Sequence, residues 1–84
     1  MVSYYLTCRS LTYAQRVSRA LTQARIKNYI VRTPQNLTRE GCGYAVRISG
    51  ASLTQALGIL NTAQIPPKKV YSSLGDGHFE EVRL

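Results

Sequence analysis

Cys42 lies between two glycines in Arg39-Glu40-Gly41-Cys42-Gly43, where a polar stretch gives way to the apolar alternation Tyr44-Ala45-Val46-Arg47-Ile48. Flanking glycines remove side-chain cover and permit left-handed backbone, so another molecule can come close to this thiol. A cysteine used as core filler more usually has bulky apolar neighbours. An approachable thiolate is a nucleophile toward disulfide and persulfide sulfur. The second cysteine, Cys8, closes the stretch Ser3-Tyr4-Tyr5-Leu6-Thr7-Cys8 and reads first as a small buried hydrophobe. His78, the single histidine, follows Gly75-Asp76-Gly77 and reads as an exposed turn residue rather than a base. Cys8, Cys42 and His78 lack metal-ligand spacing, and no glycine-rich loop is built to cradle a phosphate. The residues therefore call for no metal and no cofactor, and for a carrier or binding protein rather than an independent enzyme.

The chain has 84 residues and a formal net charge of +7. That length suffices for one small core, and such a domain buries only about 60–65 % of its unfolded surface. Any activity must then rest on a few rim residues or on a partner protein. The charge is uneven: Arg9, Arg16, Arg19, Arg25, Lys27, Arg32 and Arg39 all precede the first acid, Glu40. Such a field favours an anionic partner, although Arg16 and Arg19 on a helix face serve mostly solvation. The opening Met1-Val2-Ser3-Tyr4-Tyr5-Leu6 has no basic region followed by a long apolar run, so no signal peptide is expected. No apolar run approaches the roughly 20 residues of a membrane helix. Two cysteines are too few for a secreted disulfide scaffold, and the reading expects a cytoplasmic protein that does not engage membranes. The sequon Asn36-Leu37-Thr38 is then a chance match.

These residues need elements to position them. Residues 3 to 8 favour β structure. Thr12 and Gln15 fit a capping box, and Ala14, Val17, Leu21 and Ala24 follow helical spacing, predicting a helix from about 11 to 25. Lys27 to Arg32 reads as a second strand stopped by Thr33-Pro34, and Gly43 to Ile48 as a third. Ser52-Leu53-Thr54-Gln55 resembles a second capping box, with Leu53, Ala56, Leu57 and Leu60 on one stripe. Gly58 weakens that helix unless close packing requires it. After Pro66-Pro67, Lys68 to Ser73 reads as a fourth strand. Gly75-Asp76-Gly77 is a turn, and Phe79 to Leu84 a tail or short extra strand.

Strand-helix-strand twice over predicts an α+β, ferredoxin-like βαββαβ sandwich: a four-stranded antiparallel sheet of order 4-1-3-2 with both helices on one face. Residues 1–73 form the domain and 74–84 the tail or extra strand. Strands one and three then run antiparallel side by side, which brings Cys8 and Cys42 to the same rim. Parity agrees, since Tyr4, Leu6 and Cys8 share one face, as do Cys42, Tyr44, Val46 and Ile48. A bridge between the two thiols would need α-carbons within about 7 Å. The first helix begins at this rim, after Ser10, with its partial positive charge; Arg9, Arg39, Lys68 and Lys69 belong to the same end. Positive potential favours thiolate, so a depressed cysteine pKa is expected there, together with stabilisation of a bound anion such as a persulfide.

At Gly41-Cys42-Gly43 the chain resembles the selenium/sulfur (Se/S) carrier protein-like family of small bacterial proteins. The pattern is an opening strand ending near Cys8, a helix with small residues such as Ala14, and a second strand leading to Thr33-Pro34. A polar loop to Cys42-Gly43, the strand Tyr44 to Ile48, and a closing helix and strand reaching about Tyr71 complete it. The resemblance implies a chalcogen-handling role with Cys42 as acceptor, and partners that donate and receive sulfur or selenium. Gly41 replaces the small polar residue expected before the cysteine. Cys8, the strong basic charge and the segment beyond Ser73 have no counterpart in the pattern.

Three functions follow. As a carrier, Cys42 accepts sulfur or selenium, supported by Gly41, Gly43, Cys8, Arg9, Ser10 and Arg39. As a nucleic-acid-binding module, the open sheet face stacks bases on Tyr5 and Tyr71 beside Arg47, although Ala45 stands where a platform wants a ring. As an interaction domain, the same face forms a homodimer or a larger complex. Tyr4, Tyr13, Tyr29 and Tyr44 read as core or rim packing.

Overall fold

A computed structural model describes residues 2–33, 43–75 and 77–82. Five strands and two α-helices follow in the order β1 (Ser3–Cys8), α1 (Leu11–Gln23), β2 (Asn28–Arg32), β3 (Tyr44–Ser49), α2 (Leu53–Thr62), β4 (Lys69–Ser73) and β5 (Phe79–Val82). All pairings are antiparallel. The sheet order is β2-β3-β1-β4-β5. The expected four-stranded sheet is therefore corrected to five strands. Phe79–Val82 is a strand rather than a tail, and it pairs with the outer side of β4, running Val70↔Val82 to Ser73↔Phe79. The turn before it holds Gly75 and Gly77, both at φ 87°, a conformation glycine adopts without strain.

Alternation within the strands sorts two faces. Leu6 stands opposite Val46 on one side and Val70 on the other. These join Cys8, Ile48, Ala14, Val17 and Leu21 of α1, and Ala56 and Leu60 of α2, in a single buried cluster. Burying a leucine or valine side chain contributes about 1.5–3 kcal/mol, so this cluster is what fixes the register. A one-residue slip of any strand would turn its apolar set away from the helices.

The helix ends differ from expectation at their starts. Ser10, not Thr12, caps α1: its backbone is extended (φ −153°, ψ 163°) and its hydroxyl accepts from the Tyr13 N–H at 3.1 Å. Ser52 makes no side-chain cap bond. A 3₁₀ turn, Gly50–Ser52, already precedes α2, and Ser49 takes the capping role by accepting from the Ala51 N–H. Both helices end alike. Arg25 and Gln64 take left-handed backbone (φ 62° and 61°). Ile26 then donates to the Leu21 carbonyl and Ile65 to the Leu60 carbonyl, each at 2.9 Å, which is a Schellman motif in each helix. Asn28, opening β2, binds back to α1: its amide donates to Thr22 Oγ1 at 3.1 Å, and its carbonyl oxygen accepts from the Ser18 hydroxyl.

Candidate functional site

The carboxyl end of β1 and the amino end of β3 meet at one rim, with Cys8 paired opposite Tyr44. Cys8 is 3 % exposed and its Sγ donates to the Leu6 carbonyl at 3.5 Å. Burial pushes this thiol up from its ordinary 9.0 to about 11. The expectation of a depressed cysteine pKa is thus corrected for Cys8. Desolvation is the cause, because the sulfur belongs to the core cluster on the helix side of the sheet. Cys8 is a structural thiol here, and it is free.

Cys42, Gly41 and Arg39 lie outside the described residues. Gly43, which follows Cys42 in sequence, is described and is tightly held. Its φ is +123°, and a Cβ built on it would lie 3.1 Å from the Cys8 carbonyl oxygen and 3.5 Å from Thr33 Oγ1. The Gly43 carbonyl accepts from the Thr33 N–H at 3.3 Å. Glycine is required here on two counts, backbone conformation and closeness of approach. Thr33 Oγ1 is buried and has no hydrogen-bond partner among the described residues. Buried polar atoms are rarely left so, which makes this hydroxyl a candidate functional group. Sequence reasoning used Thr33 only as a strand stop. Its sole signal was its place in the Thr-Pro pair that the family pattern includes.

The basic residues of the rim divide. Arg9 and Lys68 line one recess of about 390 Å³ with Tyr13 and Pro66. Arg9 stacks its guanidinium 5.1 Å from the Tyr13 ring centroid, and the Tyr13 hydroxyl donates to the Pro66 carbonyl at 2.6 Å. The Lys68 N–H donates to the Thr7 carbonyl at 2.8 Å, binding this corner to the carboxyl end of β1. Ser10 is spent on its helix cap. Lys69 instead faces Glu81 of β5, Nζ to Oε1 at 3.9 Å. His78 is exposed, and no group of three or more metal-ligating side chains occurs among the described residues.

The opposite sheet face carries the residues of the nucleic-acid reading. Tyr5 pairs with Arg47 on one side and Tyr71 on the other, as expected for one row. Tyr29 extends that row, being paired with Arg47, and at 56 % exposure it is not core or rim packing as its type suggested. Tyr4, Tyr13 and Tyr44 do pack against the core. Ala45 is fully buried.

Among the described residues no helix is long and apolar enough to cross a membrane. No curated protein and no solved structure matches the chain. Residues 3–72, from the first residue of β1 into β4 and including both cysteines, match the family described as "Putative Se/S carrier protein-like", and the chain belongs to that family.

Proposed function

We propose that the protein carries sulfur or selenium between partner proteins, with Cys42 as the thiolate acceptor. The family match, which spans residue 42, is the observation that carries this reading. The rim geometry supports it. Gly43 is pinned against Cys8 and Thr33, the Thr33 hydroxyl is unpartnered among the described residues, and Arg9 and Lys68 line a basic recess at the same end. In the transfer, the Cys42 thiolate attacks the outer sulfur of a donor persulfide. The donor S–S bond breaks, the donor leaves as thiolate, and a Cys42 persulfide forms with no net oxidation. An acceptor thiolate then attacks the outer sulfur and releases Cys42; selenium follows the same course. The basic recess favours the anionic adduct and an acidic donor face, and the Thr33 hydroxyl offers it a hydrogen bond. Cys8, held protonated, takes no part. Reactions of this kind suit a reducing cytoplasm. We also read residues 1–73 as a ferredoxin-like unit to which 74–84 add the fifth strand.

Labelled sulfur supplied by a cysteine desulfurase tests the reading, with intact-protein mass spectrometry and peptide mapping on unreduced material. The wild type and Cys8→Ala are expected to take up one sulfur at Cys42, and Cys42→Ala none. Thr33→Val is expected to load several-fold less while melting unchanged. Full uptake by Cys42→Ala would end the proposal.

A further inference from the structure

We propose that the open face of the sheet binds single-stranded nucleic acid, with Tyr29 and Arg47 as its principal contact pair. The face presents one register row across four strands: Tyr29 on β2, Arg47 on β3, Tyr5 on β1 and Tyr71 on β4. Neighbouring strands are about 4.8 Å apart, so the row runs roughly 14 Å, a length able to meet several consecutive bases. The row is pre-arranged. The Arg47 guanidinium lies 5.2 Å from the Tyr29 ring centroid. Tyr5 packs edge-to-face on Phe79 of β5, with centroids 5.3 Å apart and planes at 78°. In the adjoining row Ala45 and Thr7, at 0 % and 9 % exposure, stand between Val31 and Lys69, so no further ring rises at its centre.

The chemistry of the row and the charge of the chain select the occupant. Every base has a π face, and rings interleaved with arginine stack bases without regard to sequence. The chain carries +7 overall, and Lys69 on this face is set against Glu81, which leaves Arg47 as the cation beside the exposed ring. A second copy of the chain would bring +7 against +7. An acidic protein would satisfy the charge but leave the ring planes unused. Single-stranded nucleic acid satisfies both. This surface lies across the sheet from the core side on which Cys8 packs, and it does not rest on the carrier reading.

Fluorescence polarisation with labelled oligouridylate and oligothymidylate of about twelve nucleotides, at several salt concentrations, provides the test. The full chain is expected to bind with affinity that falls as salt rises. Tyr29→Ala and Arg47→Ala should each weaken binding on the order of tenfold, with Tyr29→Phe restoring it and melting curves verifying the fold. Arg16→Ala, on the exposed side of α1, should change affinity far less. Absence of binding at low salt would overturn the proposal. So would an equal loss in Arg16→Ala and Arg47→Ala with Tyr29→Ala unchanged, which marks attraction by charge alone. A dimer in light scattering that Tyr29→Ala dissociates would assign the face to a second copy and equally overturn it.

Discussion

Cys8 donates its thiol proton to the carbonyl two residues before it and is walled in by the core. With a pKa of about 11, only about one molecule in a thousand carries this thiolate near pH 8. Alkylation of native protein is therefore expected to leave Cys8 untouched until denaturant is added, and peptide mapping checks this. The raised pKa also couples to stability. A group that holds its proton more tightly when folded contributes fully below its unfolded value and loses that contribution as pH rises through the folded one. Stability should therefore fall between pH 9.0 and about 11 more steeply in wild type than in Cys8→Ala, read by urea titration across that window. Parity along β1 made the inward orientation of Cys8 legible from the residues. Its protonation was not legible, because a count of neighbouring cations says nothing of how far the sulfur is withdrawn from water.

At the scale of elements, the two halves share a device that residue types concealed. Leu21-Thr22-Gln23-Ala24-Arg25-Ile26 and Leu60-Asn61-Thr62-Ala63-Gln64-Ile65 both end a helix with a left-handed residue followed by a buried isoleucine. Helices more often place glycine at that position. With arginine and glutamine there, nothing in composition announced the stop, and α1 was expected to run two residues too far. Each non-glycine residue costs about 1 kcal/mol in this backbone, so Gln64→Gly should stabilise the protein by about that much. Gly58 offers a parallel test. A Cβ there meets nothing within 4 Å, so close packing does not require the glycine, and Gly58→Ala should add about 1 kcal/mol through helix propensity. In a chain of this size each change raises the melting temperature by about 4–8 °C; a fall in either variant would contradict the account. Strand and helix positions were legible because apolar spacing follows burial. Cap identities were not, because Ser, Thr and Gln recur near both helix starts and only backbone geometry selects among them.

Over the whole molecule, β5 is the element the family pattern does not reach: the match ends at residue 72 and β5 begins at Phe79. It covers the outer side of β4, supplies Phe79 to Tyr5 and Val82 to the core, and sets Glu81 against Lys69. Removing residues 74–84 should cost on the order of 2–3 kcal/mol. It should also raise self-association by baring the backbone N–H and C=O groups of β4 that now pair with β5, as measured by urea midpoint and light scattering. An unchanged midpoint would mean that β5 decorates a sheet already complete without it. Asp76, Glu80 and Glu81 are also the acids nearest the carboxyl terminus, so the truncated chain would be more basic still. With Cys8 sealed inside the fold, the carrier proposed above would work as a monothiol. A monothiol has no internal partner to close upon, so oxidation without reductant would join two molecules through Cys42 rather than knot one. By the same logic, cargo loaded there would not be discharged by the protein's own second cysteine and would leave only with a visitor that reaches it.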